Sequence, residues 1–312
     1  MHTPPLQSGI HTSLAELIGM RHHVHEVQVF STPARRSPLV GLHHSRLRGR
    51  GVDFDQVRAY QPGDDVRTID WRVTARTEKP HTKVFHEERE RPIFIIVEQS
   101  RRLFFGSGLA FKSVIAAHAA SLLAWSALEH NDRIGGLVFS DSEHHEVRPR
   151  RSKQSLLQLL NWTVRANQSL SSSSATSTRD SFSLALRRAR EVLRPGSLVV
   201  ILCDERALGD TAAQQLSLLA RHTDLILMPL SDQLDHALPT AGLLRFADRN
   251  TQLEINTQDS ELCQSYTDLG EARQTRWQNL AQKLGVLLMP LHTRADVVAQ
   301  LREQLQNRGS RK

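Results

Sequence analysis

The chain has 312 residues, of which 39% are hydrophobic and 23% are charged, which excludes a short peptide, a fibrous repeat and a wholly disordered chain. Its 40 lysines and arginines outnumber its 33 aspartates and glutamates, and the net charge of +7 favours an anionic partner: nucleic acid, a membrane surface or an acidic protein. The two cysteines cannot form a disulfide framework, and the N-terminal segment does not have the pattern of a secretory leader. We therefore expect a cytoplasmic protein.

The chain separates into two regions of different pattern. Residues 1–90 contain an amphipathic stretch near 14–25 and little periodicity afterwards, which predicts a small, irregular, partly β N-terminal subdomain. In residues 91–312, short β-branched runs alternate with helical stretches, which is typical of an α/β fold with a doubly wound, mostly parallel sheet. We expect a hairpin near 243–255 to be inserted in this second domain.

The predicted elements of the second domain can be placed from hydrophobic periodicity. In chain order they are a strand at 92–97, a helix at 111–130, strands at 133–139 and 144–147, helices at 155–164 and 182–193, a strand at 198–203, a helix at 211–221, a strand at 225–230, the hairpin, a helix at 260–284, a strand at 286–289 and a helix at 295–306. The most apolar stretch, 109–128, is interrupted by polar residues and predicts a buried helix, since a membrane span needs about 20 mostly apolar residues.

The most specific local signal lies between Arg58 and Arg76, where the sequence is RAYQPGDDVRTIDWRVTAR. This segment resembles the signature of the bacterial domain of unknown function fifty-eight family. The residues that carry the resemblance are Arg58, Tyr60, Pro62, Gly63, Asp64, Asp65, Arg67, Asp70, Trp71 and Arg76. The likeness is strong over 49–100 and continues by element order, and it implies a sheet domain similar to von Willebrand factor A domains that works with a MoxR-type AAA+ ATPase.

The same segment has its own physical chemistry. Pro62 and Gly63 suit the two central positions of a type II turn, because proline fixes φ and glycine accepts a positive φ. Three aspartates could pair with the nearby arginines at 58, 67, 72 and 76, while Trp71 offers a flat face for stacking. Two interpretations stay open here: an internal network of ion pairs, or a surface that docks directly on a partner.

Polar residues that follow the predicted strands indicate a second candidate site. Ligands of open α/β sheets bind beyond the carboxyl ends of the strands, where the segment 98–102, the serine-rich loop with Thr178, and Asp204 should converge. In von Willebrand factor A domains this place is a metal-ion-dependent adhesion site that begins Asp-x-Ser-x-Ser. Here Glu98 stands for the Asp and Arg102 for the second Ser, so the resemblance implies a degenerate site.

We therefore expect no metal and no cofactor at this edge. Glu98 is one methylene longer than the aspartate it replaces, and Arg102 would repel a divalent ion and could supply the positive charge for Glu98 and Asp204 instead. The alternative is that these are solvated loop charges. We expect a rim that binds protein, formed by Glu98, Ser100, Arg102, Thr178 and Asp204.

Motifs of enzymes are incomplete. The run from Gly106 to Ser113 approaches a phosphate-binding loop, but Phe111 stands where a glycine is needed beside Lys112. The simpler interpretation is that the glycines shape the loop and that Lys112 lies near the candidate site at the carboxyl ends of the strands. Cys203 precedes Asp204 at a strand end, where a buried, unreactive cysteine is the simpler interpretation.

The sequence thus predicts a non-enzymatic adaptor that works with a MoxR-type AAA+ ATPase in remodelling or maturation of an unidentified client complex. The alternative is a nucleic-acid-binding protein that uses basic clusters at 43–50 and 148–153. Nucleic acid is the less favoured partner, because neither cluster contains an aromatic residue on which bases could stack.

Overall fold

The computed structural model describes residues 9–27, 53–86, 92–171, 180–247 and 252–309. The helices are α1 (Leu14–Gly19), α2 (Trp71–Thr77), α3 (Lys112–Glu129), α4 (Lys153–Ser169), α5 (Ser181–Val192), α6 (Asp210–Ala220), α7 (Ser260–Leu284) and α8 (Val297–Gly309). The strands are β1 (Asp53–Ala59), β2 (His81–His86), β3 (Ile93–Glu98), β4 (Ile134–Phe139), β5 (His144–Arg150), β6 (Leu198–Asp204), β7 (Asp224–Ser231), β8 (Leu243–Ala247), β9 (Gln252–Asn256), β10 (Leu287–Leu288) and β11 (Leu291–His292).

The chain divides into two compact units: one consists of residues 42–90, and the other of residues 1–41 together with 91–312. In the smaller unit, β1 and β2 pair antiparallel, and α2 lies between them in sequence. This part of the chain is small and partly β, as the sequence predicts. The first 41 residues go with the larger unit.

The N-terminal helix explains that difference. α1 starts with a capping box at Ser13, and a 3₁₀ helix follows it at Met20–Glu26. Both elements pack on α3: Leu17 and Val24 are buried in the core there, and Trp125 Nε1 donates to the Leu17 carbonyl over 3.2 Å. The amphipathic pattern therefore completes the core of the sheet domain, and 1–90 is not a single unit.

The larger unit is built on a seven-stranded sheet with the strand order β10-β7-β6-β3-β4-β5, in which β11 also pairs with β7. All neighbours are parallel except β4 and β5, which form an antiparallel pair at one edge. This confirms the predicted mostly parallel α/β fold, with 144–147 on an edge strand. β8 and β9 pair as a separate two-stranded sheet, so the inserted hairpin does not extend the main sheet.

Both faces of the sheet are covered, as a doubly wound fold requires. Successive side chains of a strand point to opposite faces, and in β3 Ile95 enters the core with α3, α4 and α8. Its neighbour Ile96 enters the second core with α5, α6 and α7. The predicted buried helix is α3, whose side chains are buried from Lys112 through Ala127. Among the helices that the structure describes, none is long and apolar enough to cross a lipid bilayer.

The strand order creates a switch point at the carboxyl ends of two central strands. From β3 the chain continues to β4 on one side, and it later returns to β6 on the other side. The carboxyl ends of β3 and β6 are therefore adjacent, with their crossover connections leaving in opposite directions. Such a switch point is where open α/β sheets bind ligands.

Candidate functional site

Charged side chains from three elements meet at the switch point. Glu98 ends β3, Asp204 ends β6 and Lys112 opens α3, and all three residues are completely buried. The Lys112 ammonium donates to Asp204 Oδ2 over 2.7 Å and to Asp235 Oδ2 over 2.8 Å. Asp235 lies in a short 3₁₀ helix that follows β7, so one lysine joins three segments of the edge.

Arg206 adds a second positive charge from the loop after β6. Its backbone amide and Nε donate to Asp204 Oδ1 over 2.8 and 2.9 Å, and its Nη1 lies 3.6 Å from Asp235 Oδ1. Burial alone would raise the pKa of Asp204, but the charges of Lys112 and Arg206 outweigh it and hold that pKa below its usual value. We call the group formed by Glu98, Lys112, Asp204, Arg206 and Asp235 the charge cluster.

Glu98 lies in the same cluster but is not held as a stable anion. Ser100 Oγ donates to its Oε1 over 2.5 Å, and the Asp204 amide donates to its Oε2 over 2.8 Å. Complete burial, followed by repulsion from the Asp204 carboxylate, nevertheless raises the pKa of Glu98 from 4.5 to about 7. Glu98 and Asp204 are thus adjacent carboxyls with opposite pKa shifts.

In von Willebrand factor A domains this place holds a divalent cation, and the residues present here do not fit one. The Ser100 hydroxyl donates to Glu98, and the Lys112 ammonium contacts the Asp204 oxygen that would serve as a ligand. At about 4 Å, a divalent ion and a lysine repel by on the order of 8 kcal/mol with an effective dielectric of about 20. Within the residues that the structure describes, no group of three or more His, Cys, Asp or Glu side chains is arranged to hold a metal ion.

Arg102 acts on Glu98, since its charge lowers the pKa of that carboxyl. Lys112 and Arg206 are further cations of the site, and both contact Asp204. The Arg102 carbonyl accepts a hydrogen bond from Arg206 Nη2 over 2.9 Å. The position of Lys112 near this site agrees with the sequence analysis.

The expected protein-binding rim needs a correction. Glu98, Ser100 and Asp204 have no exposed surface, so a partner cannot contact them in this conformation. They do not act as solvated loop charges either, because each is hydrogen-bonded within the cluster. Thr178 lies outside the residues that the structure describes.

The loop that resembles a phosphate-binding loop is occupied by protein groups. The Ser107 amide donates to Asp232 Oδ2 over 2.7 Å, and its hydroxyl donates to Asp232 Oδ1 over 2.6 Å. A Cβ on Gly108 would lie 2.5 Å from the Thr293 carbonyl oxygen, so only glycine fits there. The glycines therefore shape the loop, and the Asp232 carboxylate accepts the hydrogen bond of the Ser107 amide.

Cys203 is not a poised nucleophile. Its side chain is completely buried in the second core, and burial raises the pKa of the thiol well above its usual value. The thiolate is the reactive form of cysteine. The structure therefore favours the interpretation of Cys203 as a small core residue.

Sequence reasoning missed three members of this edge: Arg206, Asp232 and Asp235. The signal was present, since all three follow the ends of β6 and β7, and the rule that selected Asp204 applies equally to residues after β7. What the rule could not show is that Lys112 would contact both Asp204 and Asp235.

The signature segment begins with the predicted turn. The Asp64 amide donates to the Gln61 carbonyl over 3.0 Å, and Gly63 has a φ of 105°. This geometry agrees with a type II turn centred on Pro62 and Gly63. Arg58 Nη2 pairs with Asp64 Oδ1 over 2.7 Å, which is one of the expected ion pairs.

The other two aspartates cap helices. Asp65 Oδ1 accepts from the Arg67 amide, and Asp70 Oδ1 accepts from the first amides of α2. The side-chain cation near Asp70 is Lys83, at 3.6 Å, rather than a signature arginine. One of the expected ion pairs is therefore present at Asp64, while Asp65 and Asp70 cap helices.

Capping by Asp70 leaves Trp71 at the first position of α2, where it is 70% exposed. Val66, in the preceding 3₁₀ helix, is 61% exposed. Three signature-segment arginines beside them are also exposed: Arg67, Arg72 and Arg76. We call Val66, Arg67, Trp71, Arg72 and Arg76 the signature surface.

The basic cluster at 148–153 spans the end of β5 and the start of α4. Arg148, Arg150, Arg151 and Lys153 are exposed, and Arg148 lies 3.8 Å from Glu146. The cluster at 43–50 lies outside the described residues.

Tyr60, the remaining signature residue, is half-buried, and its amide donates to the Pro80 carbonyl.

These features define a doubly wound α/β domain with a neutralised charge cluster at its switch point and a separate small unit that carries the signature. The chain belongs to the family described as protein of unknown function DUF58, whose model matches residues 56–276. That match contains the whole signature segment from Arg58 to Arg76.

Uncharacterized proteins of Mycobacterium bovis and Mycobacterium tuberculosis are similar to this chain, with 26% identity over 265 residues, 84% of this chain and 81% of theirs. Among solved structures, the conserved hypothetical protein BatB from Bacteroides thetaiotaomicron has a TM-score of 0.41 and 13% identity, and the match covers 70% of this chain and 99% of BatB. A von Willebrand factor type A structure from Catenulispora acidiphila has a TM-score of 0.30 and 9% identity, with 73% of this chain and 43% of that chain covered.

Proposed function

We propose that this chain is a non-enzymatic protein-interaction module that serves a MoxR-type AAA+ ATPase and helps it to act on a client complex. The observation that carries the proposal is the exposure of Trp71, 70%, in the segment that identifies the family. A tryptophan so exposed is rare in a monomer that has no partner for it, and tryptophan and arginine are enriched among the residues that dominate protein interfaces.

The charge cluster supports the non-enzymatic part of the proposal. Its buried carboxyls are hydrogen-bonded to Ser100, to the Asp204 amide, to Lys112 and to Arg206. A general base or nucleophile has to reach a substrate, and the carboxyls of the cluster are buried and hydrogen-bonded to other protein groups. The cluster therefore suits a rigid scaffold better than a reaction centre.

The signature surface supports a partner with acidic groups. Arg67, Arg72 and Arg76 are exposed in the same short segment as Trp71, and Arg72 and Arg76, four apart on α2, are neighbours on that helix. Complementary charge speeds association and fixes orientation. We assign this surface to the ATPase and leave the client unidentified.

The test is a binding measurement between this chain and the MoxR-type ATPase encoded in the same genome, with ATP, with ADP and without nucleotide. Trp71→Ala should weaken binding at least about tenfold, as expected for a central interface residue. Leu243→Ala is the matched control, because Leu243 is 65% exposed and lies outside the signature; its Kd should stay within about twofold.

Two results would count against the proposal. If the wild-type chain does not bind the ATPase in any of the three nucleotide states, the proposed partner is wrong. Equal effects of Trp71→Ala and Leu243→Ala remove the signature surface as the site of contact.

A further inference from the structure

The Lys112 side chain is an unusual feature of the charge cluster, because a lysine is almost never fully buried without partners. Its ammonium has no exposed surface and lies between two carboxylate oxygens, at 2.7 and 2.8 Å. The Phe105 ring lies on a third side, with its centroid 5.9 Å from Nζ. Two anions and an aromatic face are the surroundings that a bound cation requires.

The position of this ammonium also matches what a bound ion would do mechanically. Asp204 ends β6, Asp235 follows β7, and Lys112 begins the helix that follows β3. One charged group therefore ties together the segments at the carboxyl ends of three adjacent strands. A free divalent ion at the same place would do this only while bound.

We propose that Lys112 Nζ is a built-in cation: it occupies a cation site formed by Asp204 and Asp235, and it makes the sheet edge independent of free metal ions. Removal of the side chain should leave a site that accepts a small free cation. This inference is independent of the ATPase partnership, since it concerns a buried site that no partner contacts.

Lys112→Ala tests the inference by removing the ammonium and leaving the two carboxylates. We expect its thermal unfolding midpoint to fall by at least about 5 °C, because two buried carboxylates lose a charged partner. Ethylammonium chloride should raise the midpoint of Lys112→Ala with saturation, while tetramethylammonium chloride at the same concentration should not, since it is bulkier and has no N–H to donate. The wild type should respond equally to both salts.

Manganese(II) provides the second probe, followed by electron paramagnetic resonance. The wild type should show no saturable binding, and Lys112→Ala should bind Mn²⁺ at a site that Asp235→Asn weakens by removing one of the two carboxylates, with an affinity limited by Arg206 beside them. If Lys112→Ala is not recovered folded, refolding from denaturant with and without ethylammonium gives the same comparison.

Three results would overturn the inference. The first is a Lys112→Ala variant as stable as the wild type. The second is a destabilised variant whose midpoint and refolding respond to neither ethylammonium nor Mn²⁺. The third is saturable Mn²⁺ binding by the wild type that Asp235→Asn abolishes.

Discussion

Glu98 and Asp204 sit side by side at the ends of adjacent strands, yet their pKa values move in opposite directions. Asp204 contacts two positively charged side chains, Lys112 and Arg206, and their charges lower its pKa. Glu98 accepts hydrogen bonds from two neutral donors, the Ser100 hydroxyl and the Asp204 amide, and repulsion from Asp204 raises its pKa further. At the scale of single residues, the choice of partner decides which carboxyl carries the negative charge near neutral pH.

The first prediction concerns the pH dependence of stability. In the folded chain Glu98 keeps its proton up to about pH 7, whereas its ordinary pKa is 4.5. Folding therefore takes up a proton between these values, and the contribution of Glu98 to the free energy of unfolding, complete below pH 4.5, is lost as the pH rises through 7. The total change is about 3 kcal/mol, at roughly 1.36 kcal/mol for each pKa unit.

Glu98→Gln should abolish this contribution, because glutamine stays neutral and can still pair with Ser100 and the Asp204 amide. Denaturant unfolding at pH 5, 6, 7 and 8 measures this contribution as the difference in the free energy of unfolding between the variant and the wild type. The variant should gain stability relative to the wild type as the pH rises. A difference that stays constant over this range would contradict the prediction.

The second prediction concerns the pairing of buried charge. Asp235→Asn leaves Lys112 with one anion instead of two, and removal of one partner from a buried charged network typically costs about 3–5 kcal/mol. Asp210→Asn is the control, since Asp210 pairs with Arg276 but its side chain is 95% exposed, and loss of such a pair costs less than about 1 kcal/mol. Guanidinium unfolding of both variants makes the comparison, and equal losses would show that the cluster does not stabilise the fold.

The residues of the charge cluster could be predicted from the sequence only in part. Glu98 and Asp204 follow hydrophobic strands, so their convergence at one edge could be foreseen. Arg102 was the expected cation, whereas the contacts of Lys112 and Arg206 with Asp204 were not foreseen, because Lys112 reaches the site through the geometry of the loop before α3. Contacts of that kind depend on backbone paths that a pattern of residue types does not contain.

At the scale of elements, the loop between β3 and α3 places Lys112. Its path brings Gly108 against the backbone of Thr293, and the Leu109 amide donates to the Thr293 carbonyl over 2.7 Å. A side chain at Gly108 would push the two segments apart. Because Ser107 and Thr293 also both bind Asp232, the loop, the segment after β7 and the segment after β11 are held as one layer.

Gly108→Ala tests this arrangement. The added Cβ would lie 2.5 Å from the Thr293 carbonyl oxygen, and we expect a loss of about 1–3 kcal/mol from the resulting shift of backbone. Gly209→Ala is the control, because nothing lies within 4 Å of its added Cβ, and it should cost less than about 1 kcal/mol at its helix N-cap. Similar losses in thermal or denaturant unfolding would argue against a tightly packed loop.

Elements were the most predictable level of this structure. Apart from the two-residue strand β11, the order of strands and helices from β3 to α8 follows the sequence prediction, because buried parallel strands and amphipathic helices have different periods. The separate pairing of β8 with β9 and the packing of α1 on α3 were not predictable in the same way. Both depend on which distant surface an element covers, and periodicity reports only that a face is apolar.

At the scale of the whole molecule, the chain joins a rigid sheet domain to a small unit that carries the exposed signature. The family match extends over both units, from residue 56 to residue 276. The sequence alone left open whether the signature is an internal ion-pair network or a docking surface. The structure gives Asp65 and Asp70 to helix caps and leaves Trp71 exposed, which is why we propose docking.

The exposure of Trp71 also predicts that its removal is harmless to the fold. Trp71→Ala should leave the thermal unfolding midpoint within about 2 °C of the wild type, since an exposed side chain away from the core contributes little to stability. Differential scanning fluorimetry measures this directly. A large drop would mean that Trp71 supports the fold, and a loss of ATPase binding by the variant would then have a structural cause.

The most direct test of the account is hydrogen–deuterium exchange of the wild-type chain, alone and with the MoxR-type ATPase. We expect slower exchange in peptides that cover 66–77 when the ATPase is present, and little change in those that cover 98–107 and 204–209. Protection confined to the sheet edge or to 148–153, with 66–77 unchanged, would contradict it.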